Sequence, residues 1–310
     1  MNSLDLISYA KLNLYLGVGA KRADGYHPIC SLFERISLSD RIRLRLLANP
    51  GINIISSGIL IPLSRNNLAY KAASLLKKKF KIKQGVEIKI TKNIPVAAGL
   101  GGGSSDAAGV LQGLNKLFKL NLSIDCLRQI AGEIGSDVAF FLYKCSFASV
   151  TSRGDEIKPL TMPVKLWHVI AVPRIKIRTP LIYAKWDKMY NKYAGLTSSS
   201  LDKSLAIKQK TAGLTVHQSR VKILQSALGK RDLRQVSKLL FNSLEHASIV
   251  LHPRIEKVKL ALFNLGLKAI STSGSGPTVF GLVFSRKEAH AVARQLMKLG
   301  DCDVFVAKTA

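Results

Sequence analysis

The chain has 310 residues, with 47 Lys plus Arg against 19 Asp plus Glu, a formal net charge of +28. Its 47% hydrophobic content excludes a disordered polycation, because a chain this apolar can bury a large core and offset its ordering entropy. Length fits two domains of about 150 residues each, and the positive excess, spread through both halves, points to an anionic partner.

Cys30, Cys126, Cys145 and Cys302 have no C-x-x-C spacing, which argues against a disulfide framework or a structural zinc site and for buried thiols in a reducing compartment. The start, MNSLDLISYAKLNLYL, has no basic n-region and no small-residue cleavage site, and no run reaches the ~18 apolar residues of a membrane span. A soluble, cytoplasmic, uncleaved chain without a membrane partner is expected.

Strand-like alternation occupies Arg41–Leu46 and Val86–Thr91, where every second residue is apolar. Between them Asn66-Asn67 precedes a helical pattern that places Leu68, Ala72, Leu75, Leu76 and Phe80 on one face. The lysines at 71 and 77–79 read as a solvated helix face, since no aromatic residues interleave them. A glycine cluster at 99–103 then opens a helix expected over 104–119. A second helix is predicted from Ser123 as N-cap to Gly135 as stop, after which Ser136 caps a short apolar turn beginning at Asp137.

The second half predicts a strand at 167–172 and a mobile surface loop at 190–220. Helices follow near 219–228, 231–248 and 254–265, then a Ser/Gly turn at 271–277. A strand at 279–284, a helix at 286–299 and a last strand at 303–307 complete an α+β chain without internal repeats. The domains are placed at 1–158 and 159–310.

The sharpest chemical signal is Pro95-Val96-Ala97-Ala98-Gly99-Leu100-Gly101-Gly102-Gly103-Ser104-Ser105-Asp106-Ala107. It follows a strand and opens a helix, so bare backbone N–H groups and the positive end of a helix face the same space, which is an anion site. No Gly-Lys-Ser/Thr closes it, so it is not a Walker A loop, and the Rossmann and protein-kinase spacings are absent.

This motif resembles the phosphate loop of the GHMP small-molecule kinases. Together with Ala10-Lys11-Leu12-Asn13, Arg22-Ala23-Asp24-Gly25-Tyr26-His27-Pro28, Gly135-Ser136-Asp137-Val138, Arg178-Thr179-Pro180-Leu181-Ile182-Tyr183 and Ser273-Gly274-Ser275-Gly276-Pro277-Thr278, it is similar along the whole chain to the 4-diphosphocytidyl-2-C-methyl-D-erythritol kinases. The resemblance implies an α+β, two-domain GHMP kinase fold. An amino-terminal α/β domain supplies the ATP loop, a carboxy-terminal ferredoxin-like domain follows, and the active site lies in the cleft between them. It implies ATP-dependent phosphorylation of the 2-hydroxyl of the cytidyl substrate in the non-mevalonate route to isoprenoid precursors, with ATP and Mg²⁺ as cofactors and no legible metal ligand set.

By the same resemblance Lys11 and Asp137 are the catalytic pair, and residues 95–105 with Asn67 hold ATP. Tyr26 and Tyr183 stack on the cytosine, His27 hydrogen bonds to its edge, and Asn13 and Thr179 are substrate contacts. The family often has Pro where Ala139 stands, which loosens the expected turn but spares Asp137. In isolation Lys11 reads as a surface lysine, Asp137 as a helix cap and Tyr183 as a core aromatic. Two rivals stay open here: another GHMP kinase of the homoserine or mevalonate type and, from a different class, a basic nucleic-acid-binding protein. The 7% aromatic content and dispersed lysines give the second little support, so no dedicated nucleic-acid partner is expected. Oligomeric state is left as monomer or homodimer.

Overall fold

The computed structural model describes residues 2–194 and 214–310. Two long strands, β1 (Ser3–Val18) and β2 (Ile29–Leu47), pair antiparallel with register irregularities between Tyr9 and Ala10 and between Asn13 and Tyr15. Such bulges bend a strand and re-aim its side chains, and the two here bracket Lys11 and Asn13. Next come β3 (Ile52–Gly58), parallel to β4 (Gly85–Lys92), which pairs antiparallel with β2. The alternating segments at 41–46 and 86–91 lie inside β2 and β4. Ile42 faces Ile90 and Leu44 faces Ile88, all buried, while Arg41, Arg43 and Arg45 point to solvent.

Helices cover one face of this sheet. In α1 (Leu68–Lys79) the N-cap Asn67 accepts a hydrogen bond from the Ala69 N–H at 2.9 Å, and Ala69, Ala72, Ala73 and Leu76 are buried. Small residues let α2 (Gly102–Leu117) pack close to β1 and β2; Gly109 and Gly113 leave no room for a Cβ against Ser8, Ile42, Leu6 and Leu44. Ser123 caps α3 (Ile124–Gly132) by accepting from the Cys126 N–H at 3.2 Å. The short α4 (Val138–Leu142) has Asp137 rather than Ser136 at its N-cap position, and the Asp137 side chain makes no cap bond; it faces Lys11 instead.

The sheet grows through β5 (Phe147–Thr151) on β2 and β6 (Glu156–Leu160) on β5. A boundary at residue 158 therefore cuts a strand, and the first sheet continues to Leu160. The second sheet is built from β7 (Trp167–Pro173), whose chain continues through α5 (Thr179–Ala194), α6 (Leu214–Gly229) and α7 (Leu233–Leu239). After these stand β8 (Phe241–Asn242), α8 (Glu245–Leu251) and α9 (Arg254–Asn264). The chain closes with β9 (Ile270–Thr272), β10 (Val279–Val283), α10 (Arg286–Lys298) and β11 (Cys302–Lys308). The strand order is β11-β7-β10-β9, antiparallel throughout, which is the ferredoxin-like split βαβ arrangement.

Two predicted elements are corrected. The helix expected over 231–248 is interrupted by β8, which leaves the carboxy-terminal unit and pairs parallel with β1 through Tyr15 and Leu16. The 190–220 loop is helical at both flanks, in α5 and α6, and its centre lies outside the described residues. Among the described residues no helix is long and apolar enough to cross a membrane. The four cysteines are free, Cys30 and Cys302 buried but Cys126 and Cys145 only half-buried.

A buried polar link joins the two sheets. Glu34 on β2 accepts from the Thr309 hydroxyl at 2.7 Å, and His168 Nε2 on β7 stands 2.9 Å from its other oxygen.

Candidate active site

Lys11 projects from β1 between its bulges and is 3% exposed. A buried ammonium is tolerated only when paired, and three groups meet it: Asn13 Oδ1 at 2.5 Å, Asp137 Oδ2 at 3.5 Å and the face of Phe33, 4.8 Å to the ring centroid. The last is a cation–π contact. The Asp137 side chain is 34% exposed, so its carboxylate lies at the boundary between the lysine and open space.

The glycine loop crosses directly above. The Lys11 backbone N–H donates to Leu100 O at 2.9 Å, which fixes loop against strand. Buried Ala98 and Leu100 anchor the loop while Val96 and Ala97 turn outward. Gly99 and Gly101 have φ of +77° and +70°, left-handed conformations that favour glycine. Gly101 is the N-cap of α2 and offers no side-chain cap bond, so the first N–H groups of the helix stay open. A Cβ on Gly101 would press on Lys11 and Phe141, and one on Gly102 would approach Lys92 and Ile94. Bare backbone and helix positive end together fit a polyphosphate.

Two cavities flank this loop. One, of about 470 Å³, is lined by Pro95 to Ser104 and by Asn67. Ser105 faces the other way: it is 2% exposed, its N–H is spent on Gly101 O, and it does not line the groove. The other cavity, of about 530 Å³, holds Lys11, Asn13, Tyr26, His27, Asp137 and Tyr183. Gly99, Gly101 and Thr179 line both, so the cavities adjoin.

The turn 273–278 closes the junction from the carboxy-terminal side. Ser273 Oγ lies 2.9 Å from Gly99 O and 3.3 Å from Asn13 Oδ1, and Thr179 Oγ1 is 2.8 Å from Ser275 Oγ. Asn242, carried in on β8, donates to Thr272 O at 2.9 Å and Gly274 O at 2.8 Å.

Tyr26 is exposed, with the Arg153 guanidinium 5.2 Å from its ring centroid. His27 stacks on Tyr183 with centroids 5.2 Å apart and an interplanar angle of 29°. Burial, reinforced by the Asp137 charge, holds the Tyr183 phenol well above its usual value, so the ring stays neutral at any physiological pH. The residues singled out from sequence thus meet around two adjoining cavities, with the exception of Ser105. Sequence reasoning missed Asp187 and Arg153; only the spacing of Asp187, four residues after Tyr183 on one helix face, carried a signal.

Residues 67–145 match the GHMP kinases N terminal domain and residues 224–301 the GHMP kinases C terminal domain. A 4-diphosphocytidyl-2-C-methyl-D-erythritol kinase of Shouchella clausii (strain KSM-K16) is 40% identical over 298 residues, 96% of this chain and 91% of its own. The crystal structure of a 4-(cytidine 5'-diphospho)-2C-methyl-D-erythritol kinase aligns with a TM-score of 0.76 at 30% identity, covering 98% of both chains. A homoserine kinase from Cytophaga hutchinsonii aligns with a TM-score of 0.70 at 21% identity over 100% of this chain and 95% of its own, a likeness of fold alone. The chain belongs to the GHMP kinases, ATP-dependent kinases of small molecules, and within them to the 4-diphosphocytidyl-2-C-methyl-D-erythritol kinase family.

Proposed function

We infer that the protein transfers the γ-phosphoryl group of ATP to the 2-hydroxyl of 4-diphosphocytidyl-2-C-methyl-D-erythritol. The observation that carries this reading is the Lys11–Asp137 pair, 3.5 Å apart, at the junction of a glycine-lined groove and a cavity walled by aromatic rings. ATP enters as its Mg²⁺ complex, its phosphates against the open N–H groups of the loop and of α2. The cytidyl diphosphate alcohol occupies the larger cavity, with its hydroxyl at Asp137.

Phosphoryl transfer is governed by positioning and by stabilisation of charge on the transferred group. Asp137 accepts the hydroxyl proton or orients the hydroxyl for in-line attack. Lys11, held by Asn13 and Phe33, keeps Asp137 in place and places its charge beside the phosphoryl oxygens. Asn13 is itself fixed by donating to Ser31 Oγ at 3.1 Å, so the lysine is aimed by a chain of bonds running back into the sheet.

Purified protein assayed with ATP and a panel of alcohols is expected to phosphorylate the cytidyl substrate. Transfer to homoserine or mevalonate with none to the cytidyl compound would overturn the assignment. Lys11→Met and Asp137→Asn, both near-isosteric, are expected to fold and to lower kcat by about 10²–10⁴-fold. Full activity in either folded variant would remove that residue from the chemistry.

A further inference from the structure

We propose that Asp187 determines the base specificity of the larger cavity, its carboxylate accepting a hydrogen bond from the exocyclic amine of the substrate's cytosine. The inference rests on the substrate reading above and adds to it the residue that reads the base.

The resemblance assigned the polar reading of the cytosine edge to His27, but in the structure both nitrogens of that ring face other partners. Its Nδ1 stands 3.0 Å from Gly19 O and its Nε2 3.3 Å from Asp187 Oδ1. Tyr183 covers one face, and Trp186 meets the ring edge-on, with centroids 5.2 Å apart and planes at 88°. His27 is 8% exposed. It is an anchored wall of the cavity.

Asp187 is placed differently. It lies one turn beyond Tyr183 on α5, lines the cavity, and its side chain remains 24% exposed. One carboxylate oxygen faces His27; the other has no hydrogen-bond or ion-pair partner among the described residues. An ionised carboxylate only accepts hydrogen bonds, and His27 fixes the direction in which this one does so. Among pyrimidine edges, the amino group of cytosine is the matching donor, whereas uracil carries an acceptor oxygen at the same position.

Charge makes the same point. The cavity is to receive a diphosphate, and Lys11, Lys21 and Arg153 in its lining suit that load. Two acids stand in the same lining, Asp137 and Asp187. Each repels the phosphates, so each needs a direct use. Asp137 has one at the reacting hydroxyl, and an amine donor gives Asp187 the other.

The test compares kcat/KM for the cytidyl substrate and for its uridyl counterpart in wild type and Asp187→Asn. Wild type is expected to favour the cytidyl compound. The amide, which can donate to the uracil oxygen, is expected to shrink that preference about ten- to a hundredfold, chiefly through KM. A role confined to holding His27 would weaken both substrates alike, and an unchanged ratio overturns the proposal. Titration calorimetry of wild type with cytidine and uridine 5′-diphosphate gives a measurement independent of the variant's folding; equal affinities would refute base reading at this site. If wild type fails to phosphorylate the cytidyl substrate at all, the substrate reading falls first, and this is distinguishable from its success with an unaltered ratio.

Discussion

Lys92, buried at 3% exposure, holds two carboxylates at once, Asp40 Oδ2 at 2.5 Å and Asp106 Oδ2 at 2.6 Å. Asp40 also accepts from the N–H groups of Asn93 and Ile94, at 2.6 and 2.9 Å, while Asp106 Oδ1 has no hydrogen-bond partner among the described residues. The two acids are therefore unequal. Burial raises the Asp106 carboxyl to about 7, with Lys92 pulling the other way and Asp40 adding to the rise. An unfolded aspartate titrates near ~3.9. Between these values the folded protein keeps a proton that the unfolded chain releases, so stability is full below the lower value and is lost as pH rises through the higher one. Urea melts at pH 5 and pH 8 are expected to show Asp106→Asn losing less stability over that interval than wild type; parallel losses would refute the assignment. Of this triad the sequence displays only Asp106, as part of the glycine motif. Asp40, Lys92 and Asp106 come from two strands and a helix, and no spacing announces that they converge. Lys11 and Asp137 were legible only through resemblance, for the same reason. A lone lysine in a strand and a lone aspartate before a helix look ordinary until the fold brings them within 3.5 Å.

Among the elements, strand, glycine loop and helix were legible in order, because bare glycines between an alternating segment and a small-residue helix allow few arrangements. The Asn67 and Ser123 caps were legible too, since a side-chain oxygen at that position satisfies N–H groups that the helix itself cannot. The strand β1 escaped notice. From Ala10 to Val18 it is buried without a break, covered on both faces, so its sequence lacks the alternation that marks a half-buried strand. The break in the predicted 231–248 helix was hidden because its cause is tertiary: Phe241 and Asn242 gain pairing to β1 and bonds to the 273–278 turn that no local preference encodes. The loop itself is held from outside. A Cβ on Gly99 would collide with the Ser273 carbonyl oxygen, at a φ of +77° that already disfavours it. Gly99→Ala is expected to cost about 1–3 kcal/mol in stability and to raise KM for ATP, measured by urea melts and initial rates. An unstrained, fully active variant would show that the loop moves freely of the turn.

At the scale of the molecule, the two sheets are tied by the Glu34 link to His168 and Thr309, with Glu34 and His168 fully buried. Glu34→Ala takes the acceptor from the buried Thr309 hydroxyl and is expected to destabilise by about 1–3 kcal/mol. Rates per folded molecule should hardly change, because Glu34 touches neither cavity; a loss of activity without loss of stability would contradict this. The net charge of +28 is also clearer in the folded protein. Lys11, Lys21 and Arg153 line the cavity, whereas Arg41, Arg43 and Arg45 spread over an exposed sheet face on the far side from the helices. Most of the excess is surface charge outside the site.

Because Gly99, Gly101 and Thr179 belong to the walls of both cavities, the groove proposed for the nucleotide and the cavity proposed for the alcohol adjoin at the glycine loop. For inhibitor chemistry this means that a pyrimidine-like head and an adenosine-like head can be joined by a linker passing over the glycine loop. The second head then binds at an effective concentration in the millimolar range, gaining affinity without any new contact. On the proposed reading, selectivity would reside in the pyrimidine head, at Tyr26 and Asp187, the residues proposed to meet the base.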